Sequence, residues 1–270
     1  MIPATFTYRR AESAEHAVGL VAEHGDEAKL LAGGHSLLPL MKLRLAVPEV
    51  LVDIGRVREL SYIREENGHI AIGALTRHHD VEHSALLAQE LPLLAHAAAQ
   101  VGDPQVRHRG TIGGSLAHGD PASDLPAVVL ALNATLVVRG PSGTREIPST
   151  DFYQGLFETS LEPDELLTEI RVPKPAAAGW SFQKFTKRAI DWAIVGVAVQ
   201  GDAVALVNMG ATPLRATSVE RALADGAPVD EAAQRAADGT EPPTDLNASP
   251  GFREHLARVL VRRALEESRA

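Results

Sequence analysis

The sequence predicts an α+β fold of three lobes, and three observations support this class. Short apolar runs of strand length alternate with amphipathic stretches of helical period along the 270 residues. The dipeptide Asn67-Gly68 separates two such runs and is the strongest short hairpin signal. The segment 174–179, which holds Pro175 and three alanines, is typical of a linker. We therefore expect lobes at 1–55, 56–175 and 176–270.

The first lobe has a β-α-β outline. Ser13 precedes a helical pattern whose apolar residues share one face, and Gly25 ends that pattern. Strands are expected at 29–31 and 50–54. Neither the Gly-x-Gly-x-x-Gly motif nor the P-loop motif occurs in the sequence. The main evidence for a nicotinamide-nucleotide-binding or P-loop protein is therefore missing.

The second and third lobes combine sheets with helices. In the second, helices are expected at 77–83 and 91–101, and a further helix begins at Ser123 or Asp124 and ends at Leu132. The final helix of the third lobe begins at about residue 250 and places Phe252, Leu256, Val259 and Leu260 on one apolar face. The expected strands are 60–64, 69–73, 134–138, 144–147 and 165–172 in the second lobe, and 181–187, 195–200 and 203–209 in the third.

Charge and residue counts argue against several kinds of protein. The net charge is −9 and no Lys/Arg stripe is present, which argues against nucleic acid as a partner. The longest apolar run, 126–138, is too short to span a bilayer. The absence of cysteine excludes disulfides, thiolate catalysis and a self-held iron–sulfur cluster. Because no signal-peptide pattern is present, we expect a soluble cytoplasmic protein.

Two glycine-pair stretches are the strongest candidates for a binding site. The first, Ala32-Gly33-Gly34-His35-Ser36, follows a predicted strand and precedes a short helix. Backbone N–H groups, a helix N-terminus and the Ser36 hydroxyl can together bind an anion such as a diphosphate. Taken alone, the stretch can equally be an ordinary turn with Ser36 as N-cap. A second stretch, Thr111-Ile112-Gly113-Gly114-Ser115, favours one elongated phosphate ligand between the two.

These stretches resemble the paired flavin-binding loops of the FAD-binding medium subunits of molybdenum hydroxylases, in the xanthine dehydrogenase family. The resemblance is greatest to the aerobic carbon monoxide dehydrogenase branch. It covers nearly the whole chain and includes the segments 3–8, 101–107, 184–193 and 252–265. It implies a two-lobed FAD-binding domain of the PCMH/vanillyl-alcohol-oxidase type, followed by a C-terminal domain of sheet plus helices.

The resemblance also implies a set of FAD-binding residues. Asp124 would lie toward the adenosine ribose, although it can also be a plain N-cap, and Trp192 would lie against the isoalloxazine, although it can also be a core aromatic. Ser115 stands where the family usually has Asn, so its side chain offers one donor instead of two. The implied set is Ala32, Gly33, Gly34, His35, Ser36, Leu37, Val101, Thr111, Gly114, Ser115, Ala117, Asp124, Leu167, Lys184 and Trp192.

Histidines have a functional and a plain interpretation. His35 and His118 are either loop residues or hydrogen-bonding partners of phosphate or of a flavin edge. His78, His79 and His83 fall on one predicted helix, where a pair four residues apart can share a metal ion. We expect a solvated helix face there and no metal site.

The resemblance implies an electron-transfer role with no catalytic residue on this chain. Electrons would pass from [2Fe–2S] clusters on a small partner subunit through FAD to an external acceptor, with molybdopterin on a large subunit and a dimer of heterotrimers as the assembly. Two alternatives remain open. One is a stand-alone flavoenzyme of the same fold, such as an alcohol oxidase or a sugar nucleotide reductase, and the other is a non-enzymatic assembly scaffold.

Overall fold

The computed structural model describes residues 2–176 and 179–270. The first of its three main sheets is formed by the N-terminal part of the chain. Its strands run parallel in the order β1-β3-β2. The Ser13 hydroxyl caps helix α1 by accepting a hydrogen bond from the N–H of His16. β1 was not predicted, because its four residues are all exposed and show no apolar alternation. The elements are β1 (Thr7–Arg10), α1 (Ala14–His24), β2 (Ala28–Leu31), α2 (Leu37–Leu43) and β3 (Val50–Asp53).

The second sheet is antiparallel, with the order β4-β5-β10-β6-β7. The predicted hairpin is confirmed: Asn67 and Gly68 both have positive φ, +48° and +82°, as a two-residue hairpin turn requires. A separate two-stranded hairpin pairs β8 with β9. The strands are β4 (Ile63–Glu66), β5 (His69–Gly73), β6 (Thr135–Gly140), β7 (Gly143–Pro148), β8 (Tyr153–Gly155), β9 (Glu158–Thr159) and β10 (Leu166–Pro173).

The helices beside the second sheet form the largest apolar core together with its strands. All eight residues of α8 are buried. The second glycine pair, treated above as a loop, lies in the first turn of helix α7, because Thr111 caps that helix despite the low helix propensity of glycine. The helices are α3 (His78–His83), α4 (Ala85–Glu90), α5 (Pro92–Ala99), α6 (Pro104–Arg107), α7 (Ile112–His118), α8 (Asp124–Ala131) and α9 (Ser149–Phe152).

The third sheet is an antiparallel meander, and the helices Thr217–Ala224 and Pro250–Ser268 pack on its strands. Leu256 and Leu260 are buried as predicted, but Phe252 is 43% exposed, so the apolar face of the last helix begins one turn later than expected. Residues 177 and 178 of the predicted linker lie outside the described residues. The elements are β11 (Trp180–Phe185), β12 (Val195–Gln200), β13 (Ala203–Val207), β14 (Leu214–Arg215), α10 (Thr217–Ala224), α11 (Val229–Gln234) and α12 (Pro250–Ser268).

The three main sheets occupy successive parts of the chain, and two of them share a core. The three main sheets fall within 7–53, 63–173 and 180–215, while the lobe boundaries at 55 and 175 stay a prediction. α8 packs against strands β12 and β13, so the second and third sheets share one apolar core. Across 2–176 and 179–270, no helix is both long enough and apolar enough to cross a membrane.

Candidate functional site

The two glycine stretches, about eighty residues apart in sequence, adjoin in the fold. A Cβ atom on Gly33 would overlap the carbonyl oxygen of Arg109 and lie 2.8 Å from the Cα of Gly110. A Cβ on Gly114 would lie 3.8 Å from the Cβ of Ala32. Glycine is therefore required at position 33 by close backbone approach, and the two stretches form the two sides of one mouth.

The first stretch presents a run of unpaired backbone donors. Within the described ranges, the N–H groups of residues 33–37 donate to no protein acceptor. Gly34 has φ +80°, a left-handed conformation that glycine adopts at little cost and that turns successive N–H groups to one side. Ser36 stands at the N-cap position of α2 as one interpretation expected, but its hydroxyl makes no capping bond to the helix. The stretch is thus built to accept an anion.

In the second stretch, the backbone donors of residues 112–115 are already paired with acceptors of the protein. The Thr111 hydroxyl accepts a hydrogen bond from the Gly114 N–H at 3.1 Å. The next donors are also taken, because the N–H groups of Ile112, Gly113 and Ser115 bond to backbone carbonyls at 2.9 to 3.0 Å. Gly114 is nevertheless exposed, and Ser115 and Ala117 are half-buried beside it. Of the five residues in this stretch, only Thr111 keeps an N–H without an acceptor among the described residues. This side of the mouth therefore offers mainly its surface and the Ser115 hydroxyl.

Asp124 and Lys184 form a buried ion pair deeper in the molecule. The Lys184 ammonium lies 2.7 Å from Oδ2 of Asp124 and donates to the carbonyl of Gln100 at 2.9 Å. The N-cap of α8 is Ser123 and Asp124 is its first helical residue, so the N-cap interpretation of Asp124 is wrong. Burial raises the pKa of Asp124 to about 6, against the opposing effect of Lys184. The buried Oδ1 of Asp124 has no partner among the described residues and can accept from a hydroxyl donor.

The histidines separate into buried and exposed groups. His78 is 4% exposed, so its expected position on a solvated face is wrong. It packs under the second stretch, where a Cβ on Gly110 would lie 2.7 Å from its ring, and burial lowers its pKa to about 4. His118 is half-buried with its ring 5.1 Å from that of Phe157, and burial lowers its pKa. His35 is exposed at the mouth.

The remaining implied residues lie in different environments. Leu167 is 4% exposed and belongs to the main core, and Val101 packs half-buried against the same core. Trp192 is 59% exposed, so its interpretation as a core aromatic is wrong. A flat exposed ring of this kind can stack on a planar ligand.

Sequence reasoning missed three groups near the mouth. The carbonyl of Gln100 binds Lys184, and the guanidinium of Arg77 donates to the carbonyl of Arg109. Asp53 ends the central strand of the first sheet, and its Oδ2 accepts from the Tyr8 hydroxyl at 2.5 Å. Of these three groups, only Asp53 could have been found from the sequence. It lies at the end of a predicted strand, and ligands of parallel sheets bind beyond the carboxyl ends of the strands.

Comparison with known proteins assigns the chain to a family. Residues 4–175 match the FAD binding domain in molybdopterin dehydrogenase, and residues 180–268 match the CO dehydrogenase flavoprotein C-terminal domain. This chain belongs to the FAD-binding medium subunits of molybdopterin dehydrogenases. The predicted family, the α+β fold of an FAD-binding domain followed by a C-terminal domain, and the oxidoreductase class are thereby confirmed.

Relatives of this FAD-binding subunit cover its full length. It is 44% identical over 279 residues to the carbon monoxide dehydrogenase medium chain of Hydrogenophaga pseudoflava, covering 98% of this chain and 97% of that one. It is 36% identical to the glyceraldehyde dehydrogenase medium chain of Sulfolobus acidocaldarius, covering 99% of each. A solved structure of the H. pseudoflava carbon monoxide dehydrogenase that lacks the Mo-pyranopterin moiety superposes with a TM-score of 0.95 and covers 99% of this chain and 98% of that chain.

The chemistry of the mouth fits the cofactor that the family implies. FAD has an anionic diphosphate at its centre and a ribose with hydroxyl donors toward one end. The unpaired N–H groups of residues 33–37 suit the anion, and the orphaned Oδ1 of Asp124 suits a hydroxyl. A carboxylate would repel phosphate, so the donors would suit the diphosphate of such a dinucleotide and the acid its ribose.

Proposed function

We propose that this subunit holds FAD as the redox group between [2Fe–2S] clusters on a small partner subunit and an external electron acceptor. The observation that carries the proposal is the run of unpaired N–H groups at residues 33–37, set directly against the second glycine stretch. Bound FAD supplies a group that exchanges electrons singly or in pairs. The chain's own share is to bind the cofactor, orient it and set its surroundings.

The proposed contacts divide by chemistry. Backbone N–H groups of the first stretch bind the diphosphate, and the Ser36 and Ser115 hydroxyls add donors beside it. Asp124 accepts from a ribose hydroxyl while Lys184 keeps it charged and oriented. The exposed ring of Trp192 lies against the isoalloxazine. The full proposed set is Ala32, Gly33, Gly34, His35, Ser36, Leu37, Val101, Thr111, Gly114, Ser115, Ala117, Asp124, Leu167, Lys184 and Trp192.

Partner chains supply what this chain lacks. Because its sequence contains no cysteine, the iron–sulfur clusters must be held elsewhere. Relatives such as the nicotine 6-hydroxylase medium subunit of Paenarthrobacter nicotinovorans are named as one subunit of several. We propose a cytoplasmic dimer of heterotrimers with a small iron–sulfur subunit and a large molybdopterin-binding subunit. In this arrangement the large subunit selects the substrate.

Two measurements test the proposal. The purified chain should bind one FAD and turn yellow, while metal analysis finds neither molybdenum nor iron; a chain that stays colourless after incubation with FAD would contradict it. In the assembled complex, a flavin-depleted preparation should still reduce its iron–sulfur clusters but lose transfer to an acceptor dye. Substrate turnover by this chain without partners would instead establish a stand-alone flavoenzyme.

A further inference from the structure

Three histidines from two separate segments meet on the surface beside the second glycine stretch. His79 and His83 lie four residues apart on α3, with ring centroids 4.2 Å apart. His108 follows α6, and its ring centroid lies 4.1 Å from that of His79. The sequence could relate the first two by helical spacing, but only the fold brings the third to them.

A carboxylate joins the same cluster. One ligand atom from each of His79, Glu82 and His83 can be chosen so that all three lie within 4.8 Å of one another. Oε2 of Glu82 is held by the guanidinium of Arg107 at 2.7 Å, which fixes the side chain and balances the Arg107 charge. The other oxygen of Glu82 makes no hydrogen bond within the described ranges and stays available as a ligand.

The imidazoles have lone pairs to offer. Nδ1 of His83 lies 2.9 Å from the carbonyl oxygen of His79, so a proton on Nδ1 leaves Nε2 unprotonated. A hydrogen bond from one ring nitrogen to a carbonyl is the usual way in which proteins orient a metal-binding histidine. Among described residues, the ring nitrogens of His79 and His108 make no hydrogen bond. Three imidazoles with one carboxylate match the ligands that Zn²⁺ and its neighbours prefer.

We propose that His79, Glu82 and His83, whose ligand atoms already converge, bind one divalent late first-row transition-metal ion, with the neighbouring His108 ring as fourth ligand. Such an ion would tie α3 to the segment that leads into Gly110 and Thr111. The same segments already meet there, since Arg77 forms a β-bridge with Thr111 and donates to the carbonyl of Arg109. The ion would thus stabilise the second side of the mouth. This proposal is independent of the flavin-binding role.

Calorimetric titration with Zn²⁺ on the full chain, purified without a polyhistidine tag, tests the site. We expect one equivalent bound, with affinity falling about tenfold or more in His79→Gln and in His108→Gln, since even an outer partner of a metal ligand has that effect. His255→Gln is the matched control, because His255 is an exposed histidine on helix α12 outside the cluster. It should bind as the unaltered chain does.

Thermal unfolding gives an independent readout. At the same concentration, Zn²⁺ should raise the Tm of the unaltered chain and of His255→Gln, and raise that of His79→Gln by less. Circular dichroism before titration checks that each variant is folded. Absence of Zn²⁺ binding, equal binding by all variants, or a His108→Gln variant that binds as tightly as the unaltered chain would each overturn the proposal.

Discussion

The two glycine stretches look alike in sequence and differ in how their backbone donors are used. In the first, five consecutive N–H groups at residues 33–37 have no partner in the part of the chain that the structure describes. In the second, Thr111 and neighbouring carbonyls take the donors of residues 112–115. A glycine pair therefore indicates close backbone approach, but the cap and the following helix decide whether any donor is left for a ligand. We call residues 33–37 the main-chain half of the site, and Thr111, Ser115, Asp124 and Lys184 the side-chain half.

The largest expected effect falls on the side-chain half. Lys184→Met would leave the Asp124 carboxylate buried without its counter-charge, which typically costs about 3–5 kcal/mol. Urea unfolding measures the loss. Lys174→Met is the control, because the Lys174 ion pairs with Glu65 and Glu90 lie at the surface and should matter little. Equal losses in the two variants would show that Asp124 does not depend on Lys184.

Acidity should affect only the side-chain half, because backbone N–H groups do not titrate in this range. The pKa of Asp124 is about 6 in the folded chain and 3.8 ordinarily, so the folded state binds this proton more tightly. Relative to Asp124→Asn, the unaltered chain should therefore lose stability as pH rises from 4 through 6, by at most about 3 kcal/mol, and stay lower above that. Urea unfolding of both proteins at each pH measures this difference. If the unaltered chain instead gained stability relative to Asp124→Asn as the pH rises, the prediction would be wrong.

Gly33→Ala would break the junction between the two halves. The new Cβ would overlap the Arg109 carbonyl oxygen, so the stretches must separate, at about 1–3 kcal/mol by analogy with overpacked cores. FAD titration should show loss of binding together with this destabilisation. Gly19→Ala is the matched control, because nothing lies within 4 Å of a Cβ there and the residue is in helix α1. That variant should keep FAD and gain slightly in stability.

Comparing Gly34→Ala with Gly68→Ala separates an effect on FAD binding by the main-chain half from the effect of backbone strain on stability. Gly34 and Gly68 have nearly equal positive φ, +80° and +82°, so alanine at either position should lose about 1 kcal/mol of stability through backbone strain. Gly34→Ala also requires the Leu38 side chain to move, because its Cβ would lie 2.8 Å from Cδ1 of Leu38, whereas nothing lies within 4 Å of a Cβ at Gly68. Only Gly34→Ala should also weaken FAD binding, because Gly68 lies in the hairpin turn between β4 and β5. Equal FAD affinity in the two variants would remove the first stretch from the binding site.

The smallest expected effect is an increase in FAD affinity. Ser115→Asn adds a second donor and a longer reach to the half-buried position beside Gly114. One extra hydrogen bond is worth about 0.5–1.5 kcal/mol, which corresponds to an increase in FAD affinity of about two- to tenfold. Fluorescence titration with FAD measures this change, with Ser142→Asn in the turn between β6 and β7 as control. Unchanged affinity would place Ser115 outside the reach of the cofactor.

Local chemistry made much of the fold predictable. The Ser13 cap, the Asn67-Gly68 turn and the buried face at Leu256 are encoded by near neighbours, and the structure confirms each. The place of β10 between β5 and β6 was not predictable, because pairing between distant strands leaves no trace in residue periodicity. β1 escaped prediction for the related reason that an exposed edge strand has no apolar alternation.

The candidate site was predictable in its residues and less so in their roles. The pairing of Asp124 with Lys184, sixty residues away, decides that Asp124 is charged and oriented, and no local pattern indicates it. The burial of His78 follows from its contact with Gly110, which belongs to another segment. In both cases the environment is set by tertiary contacts, while the identity of the residue is visible in the sequence.

The ion pair between Asp124 and Lys184 has a consequence for any attempt to divide the protein. Asp124 lies within the region that matches one family model, and Lys184 within the region that matches the other. A fragment that ends near residue 176 would retain both sides of the mouth. It would lose Lys184, the ion-pair partner of Asp124, and it would expose the apolar surface of α8 that contacts β12 and β13. The two regions that match separate family models therefore share one buried ion pair and one apolar core.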